Sequence, residues 1–285
     1  MNLLFKTKSF KSFITITGFL MASLVGIAQT EIGLQLYTFR NQIPKDVPGM
    51  LQKISSMGIR ELEGGGTYGL PVDSFKTLLK KNNLKIISTG SNFQELDSNA
   101  QAAVNKAKIL GAKYVVCTWI PHEKEFTIDH AKKAVAVFNK AGKLLKENGI
   151  SLCYHPHGYE FGPYEGSTLF EYMVKNMNPD FANFEMDVFW IKHPGQDPVA
   201  LLKKYPTRFL LMHLKDRKPG TPGNQEGKAD VETNVVLGTG DVGIAAIMRQ
   251  ARSSSVKHYF IEDESSRSLQ QVPESLAFLK SLKKK

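Results

Sequence analysis

Cysteine is almost missing from this chain, with Cys117 and Cys153 the only two among 285 residues. Both fall inside apolar segments, where a free thiol serves as a small core residue, so a disulfide framework is not indicated even for an oxidising compartment. No internal repeat and no low-complexity tract stands out, which removes repeat architectures and leaves an ordinary globular composition of 42% hydrophobic and 22% charged residues. Acidic residues are the minority charge, 27 against 37 Lys and Arg, for a formal net charge of +10. That excess is spread along helical segments and ends in Lys283-Lys284-Lys285. It reads as a solvated surface with a frayed tail, and no nucleic-acid partner is expected from it.

At the N-terminus, Lys6, Lys8 and Lys11 lead into an apolar run from Phe13 to Ile27 that closes on Gly26-Ile27-Ala28. A basic start, an apolar centre and small residues ahead of Gln29 predict a signal peptide over residues 1–28, cut before Gln29. The run is short and interrupted by Thr and Ser, so no stable membrane span is expected after cleavage. No cysteine follows that could carry a lipid anchor. Cleavage removes three lysines and no acid, so +10 becomes +7. The mature chain, residues 29–285, is then expected in the periplasm or outside the cell.

From Glu31 onward short β-branched or apolar runs alternate with helical periodicity, the pattern of parallel strands with crossover helices. Strands are expected at 32–36, 59–63, 85–89, 114–118, 151–154, 183–186, 209–213 and 259–262. Helices are expected at 47–57, 72–81, 99–110, 128–148, 167–176, 198–205, 243–253 and 268–282. The clearest amphipathic stripe is Ala131, Ala134, Val135, Phe138, Ala141 and Leu145, with Gly149 as the stop. Eight βα units with no second domain favour a single (β/α)8 TIM barrel over an open doubly wound sheet. Between His213 and Gly240 no clear element is visible. A long loop leaving the end of the seventh strand is expected to act as a lid or to contact substrate.

In such a barrel, polar residues closing a strand at its C-terminal end face the catalytic mouth. Strand five ends in Tyr154-His155-Pro156-His157 with Glu160 close behind, strand six in Glu185-Met186-Asp187, strand seven in His213-Leu214-Lys215-Asp216 and strand eight in Glu262-Asp263-Glu264. Any one of these has a bland explanation as a helix cap or a hydrogen-bonded core residue. Together, carboxylates and imidazoles at matching positions of four neighbouring strands predict one divalent ion, Mn2+, Mg2+, Co2+ or Zn2+. Tyr37, Glu63, Trp119 and Trp190 lie at the ends of strands one, two, four and six as candidate sugar contacts. The string Gly238-Thr239-Gly240-Asp241-Val242-Gly243 matches the dinucleotide fingerprint but follows a loop rather than a strand, and reads as a turn.

The segments Ile32-Gly33-Leu34-Gln35-Leu36-Tyr37-Thr38, Tyr154-His155-Pro156-His157-Gly158-Tyr159-Glu160-Phe161, Met186-Asp187-Val188-Phe189-Trp190, His213-Leu214-Lys215-Asp216 and Gly238-Thr239-Gly240-Asp241 resemble the sugar phosphate isomerase/epimerase family, among the xylose isomerase-like barrels. The resemblance implies metal ligands at Asp187, His213 and Glu262, with a fourth from the end of strand five. Many relatives carry a glutamate where this chain has His155, so the fourth is His155 or Glu160, with Glu160 narrowly preferred.

The chemistry such a site performs is proton abstraction beside the carbonyl of a sugar or keto-sugar, with Glu262 or His157 as base and Lys215 as electrostatic support. Isomerisation, epimerisation and elimination share that first half. Export disfavours phosphorylated substrates and makes elimination from a 3-keto-glycoside, or hydration of its product, a serious variant. The rivals are a noncatalytic carbohydrate-binding barrel and a nuclease of the endonuclease IV type. The nuclease needs a richer histidine set than these 7 residues, of which His122 and His130 are not among the mouth residues named above.

Overall fold

The computed structural model describes residues 31–282; the signal peptide expected over 1–28 and the Lys283-Lys284-Lys285 tail lie outside the described residues. Eight strands carry the fold: β1 Ile32–Gln35, β2 Glu61–Glu63, β3 Lys85–Gly90, β4 Tyr114–Cys117, β5 Ser151–Tyr154, β6 Ala182–Asp187, β7 Phe209–Leu214 and β8 His258–Ile261. Each pairs in parallel with its sequence neighbours, and β1 also pairs with β8, which closes the barrel. Closure leaves no exposed edge, and most strand residues are buried.

Alternate side chains on each strand face the axis. Val116, Cys153, Leu211 and Phe260 form an apolar plug there. Gly33 is required beside it, because a Cβ at that position would lie 2.6 Å from the Phe260 ring and 2.7 Å from the Glu61 carbonyl oxygen. One step toward the N-terminal ends, His258 bonds Glu61 at 2.7 Å. One step toward the C-terminal ends, the interior turns polar with Glu63, His155, Glu185 and His213. The β2–β3 register shifts between Leu62 and Glu63, and the β6–β7 register between Phe184 and Glu185. Irregularities of this kind re-aim a side chain, and both fall on carboxylates that reach His213.

Helices α1 Val47–Ser56, α2 Val72–Lys81, α3 Phe93–Leu110, α4 Ile128–Glu147, α5 Leu169–Asn176, α6 Val188–Lys192, α7 Pro198–Lys204, α8 Ile244–Ala251 and α9 Ser268–Ser281 surround the barrel. The expected α4 stripe is buried throughout. Its Phe138 packs edge-on against Phe93 and stacks on Tyr154; truncating it to alanine is expected to cost about 3–5 kcal/mol. Among the described residues no helix is long and apolar enough to cross a membrane. Cys117 and Cys153 are buried free thiols.

Three elements differ from expectation. α3 begins at Phe93 rather than at 99, because Asn92 caps it by accepting from Glu95 N, and the helix kinks at Asn99. α6 has no counterpart among the expected helices: at five residues it is too short to show a period, and the Asp187 carboxylate starts it. The long connection after β7 is not structureless. Asp216–Arg217 pairs antiparallel with Asn234–Val235, and a 3-10 turn covers Val231–Thr233.

Candidate active site

The ends of β5 to β8 bring four side chains to one point. His213 Nδ1 lies 3.3 Å from Glu262 Oε2 and 3.9 Å from Asp187 Oδ2, and His155 Nε2 lies 3.8 Å from the same Asp187 oxygen. All four residues are buried. Asp187 spends Oδ1 on capping α6, accepting from the backbone N–H of Phe189 and Trp190 at 2.8 and 3.2 Å. Its Oδ2 has no hydrogen-bond partner, and neither has His213 Nδ1.

The far nitrogen of each imidazole is held by a carboxylate. His155 Nδ1 is 2.9 Å from Glu185 Oε2, and His213 Nε2 is 2.7 Å from Glu63 Oε1 and 3.4 Å from Glu185 Oε1. Glu63 is fixed in turn by Gln35 at 2.7 Å and by the Ser88 hydroxyl. A carboxylate behind a histidine makes the rear nitrogen the donor and leaves the front nitrogen a lone pair, the arrangement that presents imidazole to a metal.

Charge balance points the same way. Glu63, Glu185, Asp187, Glu262 and Glu264 crowd this end of the barrel, with Lys215 as the fixed cation. Its ammonium lies 3.2 Å from Glu262 and also bonds Glu264. Burial pushes the Asp187 carboxyl up to about 6 and Glu185 well above the usual carboxylate range. Burial would raise Glu262 as well, yet Lys215 and His213 hold it well below. For His213, burial is outweighed by Glu185, Glu63 and Glu262, which keep a proton on the ring. Buried carboxylates in excess call for a cation. The open donor atoms and the hard-to-borderline oxygen and nitrogen set fit a divalent ion, whose binding would displace that proton.

Glu160, the narrowly preferred fourth ligand, does not join this cluster. The chain leaves β5 through Pro156 and a left-handed Gly158, and a 3-10 turn over Tyr159–Phe161 tucks the Glu160 carboxylate behind the mouth. There it accepts from the Tyr154 hydroxyl and from the backbone N–H of His157 and Gly158. Both oxygens are occupied by the protein, so His155 is the β5 residue that faces Asp187.

Above the cluster opens a cavity of about 630 Å3, whose walls include Tyr37, Glu63, Trp119, His155, His157, Trp190, His213 and Glu262. The candidate sugar contacts therefore share one cavity with His155, His213 and Glu262, while Asp187 is fully buried outside its lining. Tyr37 stands at the rim, 53% exposed, whereas Trp190 is nearly covered. Glu63 also holds His213, so it acts on an imidazole besides lining the space. His157 packs 4.7 Å from His155 and 5.2 Å from Trp190, and its Nδ1 has no partner. Burial and the Lys215 charge push it down to about 4, so the ring is neutral. Gly227, Lys228, Ala229 and Val231 of the long loop complete the wall.

The sequence reading places Glu185 at the end of strand six without giving it a role; two residues before Asp187 and on the same face of β6, it holds His155.

A family model described as xylose isomerase-like TIM barrel matches residues 51–282. The chain belongs to this family. A solved sugar phosphate isomerase/epimerase from Parabacteroides distasonis ATCC 8503 is similar over 90% of this chain and 98% of its own, at 25% identity and a TM-score of 0.75. The inosose dehydratase of Mesomycoplasma hyopneumoniae strain 7448 is 26% identical over 185 residues, 58% of this chain. Inosose dehydratase 2 of Bacillus cereus is 27% identical over 189 residues, also 58% of this chain. The chain spans 61% and 62% of the length of those two curated relatives.

Proposed function

We propose that this member of the xylose isomerase-like family is an exported, divalent-metal-dependent enzyme that removes a carbon-bound proton beside the carbonyl of a sugar or keto-sugar. The observation that carries the reading is the pair of open donor atoms, Asp187 Oδ2 and His213 Nδ1, set beside Glu262 beneath a cavity walled by Trp119 and Trp190. The signal-peptide pattern of residues 1–28 supports export and a periplasmic or secreted location.

His155, Asp187, His213 and Glu262 would hold the ion. When bound, a divalent ion polarises a ketone and its neighbouring hydroxyl and stabilises charge that develops on oxygen. Glu185 and Glu63 keep the two imidazoles turned inward, and Lys215 keeps the Glu262 carboxylate charged and in place. His157 is the base: its ring is neutral and lines the cavity, whereas Glu262 is already held by Lys215 and stands among the metal donors. Removal of the proton leaves an enediolate. Returning it to the opposite face gives epimerisation, and returning it to the neighbouring carbon gives isomerisation. Expulsion of a β-substituent gives elimination, the branch supported by the curated relatives, which are named for a dehydratase reaction.

The test is solvent exchange followed by NMR in D2O, with the Mn2+-loaded mature chain and a panel of free ketoses and 3-keto-glucosides. Deuterium should enter at the carbon beside the ketone of at least one compound, and His157→Ala should slow this about 100-fold or more. A fully metal-loaded protein that exchanges no proton from any of them would sink the reading in favour of a binding barrel.

A further inference from the structure

Beside the catalytic cavity lies a second chamber of about 820 Å3, and the two share Trp119 and Lys228 among their lining residues. The outer chamber is built on an aromatic rack. His122 stacks on Trp119 with ring centroids 4.9 Å apart, and Tyr159 closes against His122 at 4.3 Å and against Phe126 at 5.0 Å. Trp119 remains 37% exposed.

The rack is locked from behind. The Tyr159 hydroxyl accepts from Ile120 N at 3.0 Å and meets the Tyr154 hydroxyl at 2.9 Å, and Tyr154 donates to the buried Glu160. His122 Nδ1 is 2.7 Å from the Ile120 carbonyl oxygen. Side chains fixed in this way lose little rotamer freedom when a ligand lands on them. Glu125, Gln225, Glu226 and Lys228 stand around the rack, and none of the three charged ones takes part in a salt bridge among the described residues. The exposed Trp119 ring, backed by the buried Tyr159 and Phe126, offers an aromatic surface for the apolar side of a sugar ring, and free acceptors and donors stand at its perimeter, the chemistry that recognises a pyranose or furanose.

We propose that this outer chamber is a second subsite that binds the non-reacting ring of a glycosidically linked sugar, so that the substrate is a two-ring compound rather than a free monosaccharide. The inference rests on the reading of the inner cavity as a keto-sugar site. Trp119 marks the boundary between the rings, and Lys228 from the long loop reaches the linkage between them.

Calorimetric titration of the Mn2+-loaded mature chain separates the two readings, using fructose against turanose and isomaltulose, in which fructose carries a second ring. At least one disaccharide should bind about tenfold more tightly than fructose, an advantage of about 1.4 kcal/mol. That advantage should collapse in His122→Ala, with metal content unchanged as evidence of folding. Fructose binding with no gain from either disaccharide overturns the outer subsite and leaves the inner reading intact. An advantage that survives both His122→Ala and Trp119→Ala places the second ring elsewhere and also overturns it. Failure of all three sugars to bind the metal-loaded protein overturns the outer subsite as a site for a fructose-linked ring, while the deuterium-exchange panel decides the inner reading.

Discussion

Glu160 offers a sharp perturbation because its role is purely internal to the protein. Its carboxyl is buried and titrates at about 7 in the folded chain against an ordinary 4.5. Burial is the main cause; the Tyr154 hydroxyl and the backbone N–H groups of His157 and Gly158 pull the other way without overcoming it. A folded-state pKa above the unfolded one means that the stabilisation is complete below pH 4.5 and is lost as the pH rises through 7. At 1.36 kcal/mol per pKa unit, the amount lost is about 3 kcal/mol. Glu160→Gln has the same shape and does not titrate. Its stability relative to the parent should therefore rise by about 3 kcal/mol between pH 4.5 and pH 8, on top of a constant offset for the exchanged hydrogen bond. Urea unfolding at several pH values, with EDTA present throughout so that metal linkage does not contribute, reads this difference directly. A difference that stays flat across that range would refute the reading that burial outweighs the hydrogen bonds to this carboxyl. Loss of metal stoichiometry in Glu160→Gln would restore Glu160 to the ligand set.

Three further outcomes are expected. Asp187→Asn keeps the acceptor that caps α6 and should fold normally while losing metal uptake, whereas Asp187→Ala should lose the metal and also about 1 kcal/mol of stability; full metal stoichiometry in the asparagine variant removes Asp187 from the ligands. Glu185→Gln should weaken metal binding about 10–100-fold by releasing His155, read by competition with a chelating dye; unchanged affinity would mean that His155 needs no support. Gly227 has φ +67° and no room for a Cβ, which would sit 3.0 Å from both the Trp119 and Tyr159 rings. Gly227→Val should therefore lift the loop, raising KM several-fold and speeding proteolysis there; parental values for both would show that the loop tip does not rest on the rack.

Much of this architecture is legible from alternation alone. Cys153, His155 and His157; Leu211, His213 and Lys215; and Phe260 with Glu262 run from plug to mouth in steps of two, so the strand period already aims them at the axis. The same step from Asp187 leads back to Glu185. Periodicity stops at the strand end, so it does not choose between His155 and Glu160; the left-handed Gly158 turns the chain there and sets the Glu160 carboxylate apart from Asp187 and His213. α6 is hidden for a related reason: a single turn started by a carboxylate has no repeat to detect. The ribbon at the foot of the long loop joins two pairs of residues that lie far apart in sequence and carry no strand signal of their own.

That foot is closed by its own contacts. The buried Asp216 carboxylate accepts from the backbone N–H of Gly238, Gly240 and Val242, and Arg217 makes a two-pronged ion pair with Asp241. Lys218 N reaches the Thr233 carbonyl oxygen at 2.8 Å, so the chain between them is an insert tied off at its neck. Its tip can be lengthened, shortened or rewritten while the strand that carries His213 stays where it is. Glu232 stays tied to Ser266 and Arg267, so residues 219–230, which carry Gly227, Lys228 and Ala229 of the cavity wall, are the part that can be exchanged as a cassette.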